Sequence, residues 1–496
     1  MKKTILCLTL IYSFFNIDID ARVLPQDVIW NNDETGYYTI DENSIVLVST
    51  IGKKDKKILS SEDLKNKKIE SFSFSQDKKN VLIFTNSVRV WRYNTRGNYW
   101  VYNLKTKQGK RLGSTLPDRS LMFAKFSPNG KKIAYVSKEI IPNSFRNSST
   151  RANIYLETVE GNSIVKLTES DEKGKIINGT FDWVYEEEFS CRDGFLFNDN
   201  SDKIAFWQID ANGVKDFLMI NNTDSIYPFN VPVEYPKVGE DLTPARIGVI
   251  DLNSMDVTWM KIPGESNKFY LPRMTWMPNK DKLMIQQLNR KQNHSRYFVA
   301  NADNGSTELL LEDKDEAWID VRNTWPYQDK AGWKFINGGK EFLYTTEKDG
   351  WSHVYRYDIE KREEFLVTKG DYDVIRPLSF DEEKGDIYFI ASPKDPTERY
   401  LYKTSENNEL ELVTPKLLEG THNYQISTKS RYAFHSFSNY YTRPMQGIIT
   451  LPDHDYINKD DDMLSKFNPS LKDNNPLEFF QITTVDDVTM EGWIVK

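Results

Sequence analysis

One local pattern recurs along this chain: an aromatic or aliphatic residue, a polar turn, then a second apolar strand. It stands at Trp30-Asn31-Asn32-Asp33 before Gly36–Ile40, and at Phe74-Ser75-Gln76-Asp77 before Val81–Phe84. Its clearest copy is Phe126-Ser127-Pro128-Asn129-Gly130 before Lys132–Val136. Further copies begin at Phe197, Trp276, Phe335 and Phe380, with a degenerate one at Ile426. That makes about eight units at intervals of roughly 45 to 80 residues, the range of propeller blades or lengthened versions of them. A hairpin alone cannot bury its apolar face, and radial stacking of four-stranded blades supplies the missing cover. A sandwich repeats its turns more closely and a parallel β-helix more regularly. The pattern predicts an all-β fold, an eight-bladed β-propeller spanning residues 22–452.

Composition narrows the function. With 496 residues there is room for a large core. A net charge of -8 argues against nucleic acid as the main partner. No Walker loop, Gly-x-Gly-x-x-Gly or Cys/His cluster with metal-ligand spacing is present, so neither a cofactor nor a metal is expected. Lys2 and Lys3 precede an apolar run from Ile5 to Phe15, too short to span a bilayer of ~30 Å. This is the pattern of a secretory signal peptide over 1–21, implying a secreted, periplasmic or cell-surface protein. Its removal would leave Cys191 as the sole cysteine, excluding an internal disulfide. Lys53–Lys57 reads as a solvated basic turn in the first repeat.

The widest intervals between repeats hold three insertions: Asn143–Arg151, Gly174–Phe189 and Asn221–Glu240. The second carries Asp182-Trp183-Val184-Tyr185-Glu186-Glu187-Glu188-Phe189, three adjacent carboxylates behind an aromatic run. Like charges side by side repel. The stretch is either a solvated acidic turn after a strand or a fixed negative pocket for a cation, most simply an ammonium. Excursions from a rigid scaffold are where binding residues concentrate, which weighs toward the second. Beyond the repeats, residues 453–476 read as a charged connector. Leu477–Ile482 and Met490–Val495 read as two strands opening another domain, too few to form one alone.

Asp182–Phe189 resembles the double-glutamate motif of the dipeptidyl peptidase IV family of serine exopeptidases. Val88–Tyr93 with Tyr99–Leu104, Cys191–Phe195, Ile204–Gln208, Ile220–Ser225, Tyr235–Glu240 and Asp349–His353 resemble further segments of it, chiefly of its bacterial members. The resemblance implies an eight-bladed propeller capping an α/β-hydrolase domain, residues 477–496 being the first strands of that domain. It implies that Glu187 and Glu188 bind the free N-terminal ammonium of a peptide, whose dipeptides are released preferably after proline or alanine. An ammonium between two carboxylates relieves their repulsion through charge-assisted hydrogen bonds. The family also places a propeller arginine on the substrate carbonyl, for which Arg119 and Arg151 are the candidates.

No Gly-x-Ser-x-Gly elbow occurs in the chain, and His294, His353, His422, His435 and His454 are scattered without a serine to serve, so each reads as structural. The chain is therefore expected to hold no catalytic residue and to be inactive alone, with a separately encoded α/β-hydrolase half as a candidate partner. Its partners are peptides with a free N-terminus. The competing reading is a stand-alone secreted propeller that binds peptides or a protein without catalysis. Trp91, Trp207, Trp276 and Trp351 are expected to pack in blade cores. Cys191 is expected to be a buried small residue rather than a nucleophile.

Overall fold

The computed structural model describes residues 28–90, 92–140, 150–321, 331–405, 409–442, 444–457 and 477–495. The expected leader at 1–21, most of the Asn143–Arg151 loop, Trp91 and most of the 453–476 connector lie outside the described residues.

Strands dominate, and they pair antiparallel, mostly with their sequence neighbours. The first sheet runs through Ile29–Trp30, Gly36–Asp41, Ser44–Ser49 and Lys56–Leu59. The second and third meanders, Ser71–Arg111 and Leu121–Lys166, are joined into one eight-stranded sheet where Arg96 and Gly97 pair with Met122 and Leu121. A five-stranded sheet within Ile176–Trp259 follows, then four-stranded sheets at Phe269–Lys314, Trp333–Leu366 and Val374–Leu412. The succession ends with the three strands Thr421–Ile426, Tyr432–Ser438 and Met445–Thr450. Two hairpins stand apart: Asp216–Asn221 with Phe229–Glu234, and Leu477–Thr483 with Thr489–Val495.

Each sequence repeat falls on the turn between the first and second strands of its meander, except the copy at Phe197, which lies between the second and third strands of the five-stranded sheet. The polar turn has a conformational cause. In six copies the fourth residue after the repeat's first apolar residue has positive φ: Glu34, Lys78, Gly130, Ser201, Gly339 and Ser430. Neighbouring side chains hold that conformation, as where Ser127 Oγ donates to Asn129 Oδ1 at 2.8 Å and accepts from Lys132 N at 3.0 Å.

These turns also touch one another. Asn129 N donates to Ser201 Oγ (2.9 Å), Asn279 N to Asp199 Oδ2 (3.0 Å), and the hydroxyls of Ser379 and Ser430 stand 2.7 Å apart. At the seam between the last and first sheets, buried Glu34 accepts from Ser427 Oγ (2.9 Å), Thr428 Oγ1 (3.0 Å) and Lys429 N (2.5 Å).

The apolar core is distributed in the same way. Each cluster is shared between consecutive meanders, as where Ile45 and Leu59 meet Phe72 and Val81. The last cluster joins Val28 and Trp30 to Phe434. No meander buries its faces by itself, which is the physical reason the pattern must repeat. Trp207 and Trp276 are buried as expected. Trp351 is not: it sits on the turn between Glu341–Thr346 and His353–Asp358, 39 % exposed. A Gly-Trp-Ser segment supplies a turn, and turns leave their side chains outside.

Candidate functional site

The carboxylate run is a short helix, α1 (Trp183–Phe189), rather than a turn after a strand. Seven residues are too few to hold a helix in water unaided. Its ends are therefore anchored from outside. Asp182 is the N-cap, accepting from Tyr185 N at 3.1 Å while its second oxygen accepts from Thr243 Oγ1 at 2.6 Å. Burial pushes the Asp182 carboxyl upward despite both bonds. At the other end Ser190 takes the left-handed conformation and Cys191 N donates back to Tyr185 O. The buried guanidinium of Arg273 donates to Phe189 O at 2.9 Å and to Pro272 O at 2.7 Å, placing a cation at the negative end of the helix.

One face of α1 is apolar: Val184, Tyr185 and Phe189 join the core around Trp207 and Tyr270. The Tyr185 hydroxyl accepts from Leu271 N at 3.0 Å, fixing the helix to the neighbouring strand. Burial of this face forces the glutamates outward. Glu186 and Glu187 are half-buried and Glu188 is exposed.

The second meander reaches over to meet them. Arg92, at the tip between Asn80–Val90 and Tyr93–Asn103, places a guanidinium nitrogen 3.0 Å from Glu187 Oε2. Its neighbour Tyr93 lies under the Arg192 guanidinium, 3.5 Å from ring centroid to carbon, and Arg192 Nε stands 3.4 Å from Glu186 Oε1. Burial raises the Glu186 carboxyl, with Arg192 and Lys138 opposing the rise. The three acids thus differ: Glu186 is fastened to Arg192, Glu187 faces Arg92, and Glu188 has no ion-pair partner among the described residues.

Of the two arginine candidates, neither pairs with a glutamate of α1 among the described residues. Arg119 donates to the carbonyls of Asn86 and Ser87, and Arg151 to those of Asp171 and Glu172. Arg92 was missed because its partner lies some ninety-five positions away in the chain. The signal available was its place in Val88–Tyr93, a segment already noted for its resemblance. Cys191 is buried, its thiol raised by that burial, with Sγ 3.3 Å from both Pro272 O and Arg273. Among the described residues, no group of three or more His, Cys, Asp or Glu is placed to hold a metal.

The histidines are less scattered in space than in sequence. His422 Nδ1 lies 2.8 Å from His435 Nε2, His435 Nδ1 lies 2.7 Å from the Tyr456 hydroxyl, and His454 Nε2 lies 2.9 Å from the Tyr424 hydroxyl. His353 pairs with Asp349 and His294 with Glu312. All five make structural contacts.

The family described as "Dipeptidyl peptidase IV (DPP IV) N-terminal region" matches residues 75–444. Mouse inactive dipeptidyl peptidase 10 is 25% identical over 389 residues, 76% of this chain and 46% of its own length. Dipeptidyl aminopeptidase B of Saccharomyces cerevisiae is 25% identical over 378 residues, 74% of this chain and 44% of its own length. The chain thus spans about half the length of these curated relatives. The crystal structure of Porphyromonas gingivalis dipeptidyl peptidase 4 superposes with a TM-score of 0.81 at 23% identity, over 95% of this chain and 64% of that one. On the family match across most of its length, this chain belongs to the dipeptidyl peptidase IV N-terminal region family.

Proposed function

We propose that this chain is the substrate-gating, amine-binding portion of a dipeptidyl-peptidase-IV-like serine peptidase. Its meanders are read as the eight blades of a propeller over 22–452, and 477–496 as the start of an α/β-hydrolase domain reached through a 453–476 connector. The serine nucleophile and its partners come from that hydrolase part, since Met1–Lys496 holds no Gly-x-Ser-x-Gly. A secreted, periplasmic or cell-surface location follows from the leader expected at 1–21.

The observation that carries the reading is α1, anchored at both ends and presenting Glu187 against a cation while Glu188 stays open. A peptide ammonium entering beside Glu188 would be held by Glu187 and Glu188 together, and Arg92 fits the arginine that receives the peptide carbonyl. A substrate without a free amine leaves the carboxylates unpaired and is rejected.

Calorimetric titration tests this. A free Xaa-Pro dipeptide should bind at least about tenfold more tightly than its N-acetylated form, a difference of ~1.4 kcal/mol. The Glu187→Gln/Glu188→Gln variant should erase the difference. Equal affinities, or none for either ligand, would sink the assignment.

A further inference from the structure

The first two meanders carry a charge opposite to that of the molecule. Between Lys53 and Arg111 there are sixteen lysines and arginines against five acids, in a chain whose net charge is -8. The ion pairs of this stretch are few: Lys79 with Asp77, Lys110 with Glu157, Arg111 with Asp118 and Arg92 with Glu187. Lys53, Lys54, Lys56, Lys57, Lys65 and Lys68 are exposed and have no ion-pair partner among the described residues.

Their placement is coherent. Lys56 and Lys57 lie on Lys56–Leu59, which pairs only with Ser44–Ser49 and so forms the open edge of the first sheet. Lys53 and Lys54 belong to the turn entering that strand, and Lys65 and Lys68 to the connection leaving it. The neighbouring meander is fastened here too, because Lys107 Nζ donates to Ile58 O on the same strand. Two acids in the patch are tied to backbone: Asp55 accepts from Ser49 N at 3.0 Å and Asp63 from Ser60 N at 2.9 Å. At the tip, beside Lys53 and Lys54, Ile51 is 47% exposed.

We infer that this edge is a docking surface for an anionic lipid bilayer. The carriers are lysines spread over a strand edge and its turns rather than arginines converging on one point. Such an array suits a sheet of diffuse charge better than a single phosphate. An exposed isoleucine flanked by two lysines adds a small apolar foot at the head-group boundary. Nucleic acid fits less well, because the aromatic faces nearby are covered: Lys67 lies 4.3 Å over Trp100 and Lys78 5.0 Å over Tyr38, leaving no stacking platform. No helix among the described residues is long and apolar enough to cross a membrane.

Lysine on an edge strand also discourages edge-to-edge pairing, so the test separates the two roles. The full chain is sedimented with phosphatidylcholine vesicles containing none or about a third phosphatidylglycerol, at low and high salt. Binding should require phosphatidylglycerol and vanish at high salt, where charges are screened within ~3–10 Å. With roughly fivefold in affinity per lysine, Lys53→Glu/Lys54→Glu/Lys56→Glu/Lys57→Glu should weaken binding by at least about a hundredfold. That variant keeps the edge charged, and its folding is checked by circular dichroism and gel filtration. Lys53→Gln/Lys54→Gln leaves the edge strand untouched and should still cost roughly twenty-five-fold. Equal binding to neutral vesicles, no loss in either variant, or binding to a DNA duplex but not to vesicles would overturn the inference.

Discussion

Arg92 and Arg273 are two arginines serving one short helix in opposite ways. Arg92 is largely exposed and pairs with Glu187 at the surface, so the pair adds at most about 1 kcal/mol to stability. Arg92→Gln should leave the denaturation midpoint nearly unchanged while weakening dipeptide binding about tenfold by calorimetry, a difference of ~1.4 kcal/mol. Arg273 is buried, and its guanidinium satisfies the carbonyls of Phe189 and Pro272. Arg273→Met strips both acceptors of a charged donor and should lower stability by roughly 2–4 kcal/mol in urea unfolding. Dipeptide binding should fall with it, because the end of α1 is no longer held. Neither role was legible from the sequence. The glutamate run announces a site, but at position 92 only the resemblance of Val88–Tyr93 hints at a partner and at position 273 nothing does, since both meet α1 only after distant strands are stacked.

At the scale of the element, the last sheet is organised by neutral imidazoles. His422 Nε2 faces Leu418 O, which can only accept, so that nitrogen carries the proton. His422 Nδ1 must then accept from His435 Nε2, and His435 Nδ1 from the Tyr456 hydroxyl. An added proton breaks or reverses a bond in this chain. Burial holds His422 and His454 down at about 4 and His435 well below its ordinary value. Around them stand the hydroxyls of Tyr424 and Tyr456 and the ring of Tyr400, with Asp455 favouring the charged form of His454.

Since the unfolded chain binds protons from about pH 6.5 downward and the folded one does not until about 4, stability is complete above the first value. It is lost as pH falls through the second, by about 3 kcal/mol for each of His422 and His454. Urea unfolding across that window should show the slope, and His454→Gln should flatten part of it. The sequence carries the strands of this sheet plainly, through alternation and turn residues. The convergence of its histidines has no spacing that marks it, being a product of register. The shape of α1 was hidden for another reason: three glutamates after an aromatic run fit a turn as well as one helical stretch too short to show a period.

For the whole molecule, the repeat in the sequence was enough to predict the succession of meanders, because each turn carries its own local chemistry. What it did not reveal was the fastening at the seam. Glu34 is fully buried, and its carboxylate accepts three hydrogen bonds from Ser427–Lys429. Glu34→Ala leaves those donors without partners beside the Trp30–Phe434 contact, and should lower stability by roughly 2–4 kcal/mol, read from urea midpoints. Hydrogen exchange should quicken first at the two sheets flanking the seam, because each meander depends on its neighbours for cover.

The seam joins residues 393 to 395 positions apart. On a ribosome adding about 5–20 residues per second, the first sheet waits roughly 20 to 80 s before the strand that covers it exists. Throughout that wait Trp30 and Tyr37 have only each other, without the Tyr432 and Phe434 rings that cover them in the finished fold. The nascent protein is most dependent on a chaperone, and most easily lost to aggregation, at its earliest-made part.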